Sequence, residues 1–98
     1  MSYTKDNIPK ELIEAARFIS EDKLKKAEPI LRNYLKDYPL DVNAMKLLGD
    51  IGVKFRAYKD AGYLFSRALD LSPDYDEARL SYANLLYKRL SLIHISEP

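Results

Sequence analysis

The side chains that could do chemistry in this 98-residue chain are few and scattered. It has one histidine, His94, and no cysteine, which excludes thiol nucleophiles, thiolate zinc sites and disulfides. A lone imidazole with no partner at a usable spacing builds neither a nucleophile–base relay nor a metal site. Asp74, Asp76 and Glu77 form an acidic group, but they stand where a helical pattern begins, and carboxylates there offset the helix dipole. Lys23, Lys25 and Lys26 are flanked by Glu21 and Asp22 and read as a solvated face. The run "GDIG" at 49–52 has the outline of a GXXG loop, yet it lies inside a helical pattern, where its glycines serve packing. The expectation is a chain with no catalytic residues, no metal and no cofactor.

Two rows of polar residues remain, and their spacing is helical. Asn43, Lys46, Asp50 and Lys54 form one; Glu77, Ser81, Asn84 and Lys88 form the other. Each is a narrow stripe on a segment that is otherwise largely apolar. A helix buried on both flanks with one thin open edge belongs in a stack of helices, and the stripes are expected to floor a groove. Tyr87 stands beside the second stripe and offers further binding surface.

The elements that would carry these stripes are legible from periodicity and punctuation. In "KLKKAEPILRNYLKDY", Leu24, Ala27, Ile30, Leu31, Tyr34, Leu35 and Tyr38 share one face, which predicts an amphipathic helix over 23–37. Further helices are expected over 9–19, 42–55, 58–71 and 74–89. Pro39 ends one helix and Asp41 is placed to cap the next, while Ser72 and Pro73 read as the N-cap and first residue of the last. Pro29 deletes one backbone bond near the second turn of its helix, so a kink or a late start is expected there. Gaps of a few residues predict antiparallel neighbours. Tyr34, Tyr58 and Tyr82, three of eight tyrosines, fall on core faces.

Composition sets the outer bounds. Charged residues make up 32% and hydrophobic ones 47% of the chain, the balance of one small globular domain. The net charge of +1 supplies no bulk field toward nucleic acid or anionic membrane. The opening "MSYTKDNIPK" lacks the apolar core of a signal peptide, and no apolar run approaches the roughly 20 residues of a membrane span. A cytoplasmic location is the resulting expectation.

The chain also repeats itself. Pro39 and Pro73 lie 34 residues apart, and the same offset pairs Ala15 with Gly49, Ala27 with Ala61, Leu31 with Phe65, Tyr34 with Ala68, Leu48 with Tyr82 and Gly49 with Ala83. A two-helix unit recurring at about 34 residues is the tetratricopeptide period. The best copy, "MKLLGDIG…AGYLFSRALDLSP", carries Leu48-Gly49, Ala61, Phe65, Ala68 and Pro73 at that family's spacing. The sequence therefore resembles the tetratricopeptide repeat (TPR) family over residues 8–90, departing from its pattern at Met45, where the family favours Trp, and at Gly52, where it favours Tyr. The resemblance implies an all-α antiparallel helix-pair solenoid of about two and a half repeats and five helices, with one helix of each pair lining a concave groove. The expected units are a lead at 1–7, an array at 8–89 divided into 8–41, 42–75 and a partial 76–89, and a tail at 90–98. Gly49 and Ala61 are expected at the crossing of two helices, with Leu48 and Phe65 beside it. More narrowly, "PLDVNAMKLLGDI" and "RALDLSPDYDEARLSYANLLYK" are similar to the TPR arrays that precede bacterial sulfotransferase domains.

The tail "LSLIHISEP" breaks the pattern. It matches the in-frame translation of CTG TCT CTT ATA CAC ATC TCC GAG CCC, which resembles a transposase adapter used in sequencing libraries. Residues 90–98 are accordingly read as a non-native tail, disordered or weakly packed from about residue 91, that replaces native sequence beyond Arg89, with its Leu92, Ile93 and Ile95 either lying on the open face of the last helix or extending that helix. It leaves a face bearing Ala83, Leu86 and Leu90 uncovered, so self-association is expected.

A family resemblance of this kind implies a protein–protein interaction scaffold that binds a peptide or a partner's helix. The alternative is an accessory segment of a sulfotransferase whose chemistry lies in other sequence. Lys46 suits a carboxylate clamp, but Asp50, one turn later, would repel a carboxylate.

Overall fold

The computed structural model describes residues 8–95, with side chains placed as far as Leu90, and these residues form five helices and no strand. They are α1 (Lys10–Ser20), α2 (Leu24–Asp37), α3 (Val42–Lys54), α4 (Tyr58–Leu71) and α5 (Asp76–Ile95). The lead at 1–7 lies outside the described residues. Each helix packs on the next in the chain, and α3 also touches α1 and α5. Short turns between helices that pack on each other bring each back along its predecessor.

The turns recur as faithfully as the helices. After α1, Lys23 N–H donates to Phe18 C=O at 2.7 Å and Asp22 N–H to Ile19 C=O at 3.0 Å. After α3, Ala57 N–H donates to Gly52 C=O at 2.7 Å and Arg56 N–H to Val53 C=O at 3.0 Å. Both are Schellman closures, which need a left-handed residue just past the helix. Asp22 (φ 61°) and Arg56 (φ 63°) fill that role without glycine. The two turns stand one repeat period apart, and no apolar or proline signal marked them.

The longer turns recur too. Tyr38 N–H donates to Tyr34 C=O and Asp41 N–H to Tyr38 C=O; Ser72 N–H donates to Ala68 C=O and Tyr75 N–H to Ser72 C=O. Asp41 is the N-cap of α3, its Oδ1 accepting from Ala44 N–H at 3.0 Å, and its Oδ2 also accepts from the Tyr34 hydroxyl at 3.2 Å. One carboxylate thus ties the end of α2 to the start of α3. The equivalent turn before α5 corrects the expectation for Ser72 and Pro73. Ser72 is the C-cap of α4, Pro73 is exposed in the turn, and α5 begins only at Asp76. The Ser72 hydroxyl bonds Asp74 Oδ1 at 3.1 Å instead of capping a helix. Pro29 lies exposed inside α2, which continues unbroken to Asp37.

The core is continuous around α3, which buries Val42, Ala44, Met45, Leu48, Gly49 and Ile51. Leu48 and Ile51 join Leu12, Ala15, Ala27, Leu31 and Tyr34 from the first helix pair. Val42 and Met45 join Ala68 and Ala78 on the other flank. Ala61, Phe65 and Leu85 form the last cluster, backed by Val53, Tyr58 and Tyr82.

The α3–α4 crossing has a different pairing from the one expected. A Cβ on Gly52 would stand 3.2 Å from the Ala61 Cβ, whereas one on Gly49 would stand 2.5 Å from the Phe65 ring. Gly52 therefore faces Ala61, and Gly49 makes room for Phe65. A Cβ at position 52 already meets Ala61 Cβ at 3.2 Å, so this glycine lets α3 and α4 approach closely.

On the last helix Ala78 and Leu85 are buried, whereas Leu80, Ala83, Leu86, Tyr87 and Leu90 are exposed. The face bearing Ala83, Leu86 and Leu90 is open, as expected, so the polar stripe of α5 is flanked by packing on one side and not on both. The helix runs without a break through Arg89 to Ile95 and so extends into the tail. The side chains of 91–98, His94 among them, and the whole of 96–98 lie outside the described residues.

Candidate functional site: a cleft between three helices

An open cleft of about 840 Å³ is bounded by α1, α3 and the approach to α5. Its first wall is Ile8, Leu12, Ile13 and Ala16, all apolar. Its floor is Asn43, Lys46 and Leu47 of α3. Its far rim is Ser72, Asp74, Tyr75, Asp76 and Glu77, the turn before α5 and its first residues.

The repeat explains why these positions converge. Leu12 and Ile13 hold in α1 the places that Lys46 and Leu47 hold in α3, one period later. Asn43 and Glu77 are related in the same way. One edge of the first helix of each pair therefore turns toward a shared space. Adjacent helices placed there by their partners α2 and α4 need no further device to form a cleft.

The polar residues of the cleft are partly engaged with one another. Lys46 Nζ pairs with Asp50 Oδ2 at 2.7 Å, with the two side chains only 21% and 25% exposed. Asp76 Oδ1 pairs with Arg79 at 2.9 Å, and a second Arg79 nitrogen donates to the Pro73 carbonyl, which stitches the turn to α5. Asp76 and Glu77 lie in the first turn of α5, where their charge offsets the dipole. Tyr75 is partly buried between these groups. Desolvation first, then the carboxylates of Glu77, Asp50 and Asp41, push its phenol up to about 12.

Of the residues anticipated for a groove, Asn43, Lys46 and Glu77 line the cleft. Asp50 reaches it through Lys46. Lys54 is exposed at the end of α3. Ser81, Asn84 and Lys88 continue the α5 edge away from the cleft and do not line it. Tyr87 is 72% exposed, and its helical spacing places it with Leu80, Ala83 and Leu90 on the uncovered apolar side of α5. Of the expected packing residues, Ala15, Ala27, Leu48, Gly49, Ala61, Phe65 and Ala68 are buried, whereas Pro73 and Ala83 are exposed.

The apolar wall carries no polar stripe to mark it in the sequence. The available signal was the repeat itself, since stepping back one period from Lys46 and Leu47 lands on Leu12 and Ile13.

Among the described residues no group of three carboxylate, histidine or cysteine side chains converges as metal ligands, and no helix is long and apolar enough to cross a membrane. Comparison with protein-family models, with curated proteins and with solved structures returns no match.

Proposed function

We propose that this chain is a protein-interaction module of the tetratricopeptide type, holding a peptide or a partner's helix in the cleft between α1, α3 and α5. The observation that carries the reading is the meeting at one open cleft of repeat-related positions, Leu12 and Ile13 of α1 with Lys46 and Leu47 of α3, and Asn43 of α3 with Glu77 of α5. The recurring Schellman closures at Asp22 and Arg56 support a stack of like helix pairs independently of any side-chain motif. The cleft's mixture suits recognition: an apolar wall supplies area, and a few polar groups at the rim set orientation. Location in the cytoplasm belongs to the same proposal.

Selection of random dodecapeptides displayed against the purified chain tests the reading. Ala16 is exposed on α1 and lines the cleft, so Ala16→Trp fills the cleft without entering the core. It should abolish capture of the selected peptides. Tyr63→Ser alters a side chain 66% exposed on α4, outside the cleft, and should leave capture intact. Undiminished capture by Ala16→Trp would place the interface elsewhere.

A further inference from the structure

The two sides of the cleft differ in kind. Ile8, Leu12, Ile13 and Ala16 bring no charge to it. The opposite rim brings three carboxylates, Asp74, Asp76 and Glu77, against a single ammonium, Lys46, which is already held by Asp50 at 2.7 Å. Asp76 has Arg79 as its counter-ion, but Asp74 and Glu77 make no ion pair among the described residues. The rim is therefore anionic although the chain as a whole is close to neutral. At the same end burial first, and then the carboxylates of Glu77, Asp50 and Asp41, raise the Tyr75 phenol.

We propose that the cleft takes a basic amphipathic segment of a partner protein, with an aliphatic side chain on Ile13 and Leu47 and a Lys or Arg at Asp74 and Glu77. The inference rests on the peptide-module reading and adds the chemistry of the ligand. Charge complementarity selects the occupant: an acidic segment would meet uncompensated carboxylates, whereas a basic one neutralises them and steers its own approach. The apolar wall gives the segment its second requirement, because a purely cationic peptide would leave Ile13 and Leu47 wet. A carboxylate-ended tail is disfavoured for the same reason, since the one lysine able to receive it is occupied.

The test uses the 98-residue chain and dodecapeptides selected from a random display library. Selected sequences should combine Lys or Arg with Leu, Ile or Met within one or two turns. Asp74→Asn with Glu77→Gln, which keeps the acceptor for the Ser72 hydroxyl, should weaken a selected basic peptide by about threefold to tenfold at low salt while lowering the melting temperature by no more than a few degrees, the loss expected for one dipole-offsetting carboxylate. Raising salt from about 0.05 to 0.5 M should weaken it in the parent and change little in the double variant. Selected peptides that are neutral or acidic but still lost with Ala16→Trp would overturn the basic-ligand inference and leave the peptide module standing. Peptides insensitive to Ala16→Trp, or no enrichment at all, would overturn both.

Discussion

The three glycines of this chain all lie inside helices, yet alanine should act differently at each. Replacing an interior helical glycine by alanine normally stabilises by about 0.5–1 kcal/mol. At Gly62 the added Cβ would sit 3.5 Å from Leu85 Cδ2 and 3.9 Å from Tyr82 Cε1, both ordinary contacts, so that gain should appear in full. At Gly49 it would sit 2.5 Å from Phe65 Cε1 and 2.9 Å from two neighbouring ring carbons. The ring is fully buried with Ala61 and Leu85 and has Tyr82 packed against it, so it cannot swing out into solvent. Overpacking of this kind costs about 1–3 kcal/mol, and the short 2.5 Å contact puts the cost above the backbone gain, so Gly49→Ala should be destabilised by up to roughly 2.5 kcal/mol. At Gly52 contacts of 3.2 Å to Ala61 Cβ and 3.4 Å to the Ala57 carbonyl place the result near zero. In a domain of this size each kcal/mol moves the midpoint by about 4–8 °C, well within reach of a thermal melt followed by circular dichroism. The order of melting temperatures should be Gly62→Ala above the parent and Gly49→Ala below it. A Gly49→Ala chain that melts at or above the parent would refute the placement of Phe65 against α3.

Ala61→Leu, at a fully buried position facing Gly52, should lose about 1–3 kcal/mol in urea unfolding; an unchanged midpoint would contradict the α3–α4 crossing. The Tyr75 phenol is raised from 10.0 to about 12 in the folded chain, so its contribution to stability is complete below pH 10 and is lost as pH climbs toward 12. Denaturant melts should show the parent losing stability over that window relative to Tyr75→Phe, and parallel curves would count against the buried, carboxylate-ringed site. The exposed row Leu80, Leu86, Tyr87 and Leu90 on α5 should drive self-association; light scattering should find oligomers that Leu80→Lys with Leu90→Lys returns to monomers, and a monomeric parent would dismiss the idea.

Much of the fold was legible because the strongest signals were periodic. The apolar face of α2, the cap at Asp41 and the paired alanines at 27 and 61 each follow from helical spacing or from the repeat. Failures came where a residue's usual role was overridden by its neighbours. Ser72 and Pro73 carry the chemistry of a helix start, but the hydrogen bonds of the preceding turn claim Ser72, and α5 starts three residues after Pro73. Asp22 and Arg56 take left-handed backbone that sequence rules assign to glycine, because the Schellman bonds require it. Half of the cleft was hidden for another reason. Its wall is built from Ile8, Leu12, Ile13 and Ala16, whose types look like core, and only the proximity of α1 to α3 and the α5 turn turns them toward a binding space.

Occupancy of the cleft between α1, α3 and α5 by a partner segment can be followed residue by residue by titrating the isotope-labelled chain with a library-selected dodecapeptide and recording its backbone amide resonances. The largest shifts should fall on Leu12 to Ala16, Asn43 to Leu47 and Asp74 to Glu77, with α2 and α4 quiet. Shifts concentrated instead on Leu80, Tyr87 and Leu90, or spread along α4, would contradict occupancy of the cleft.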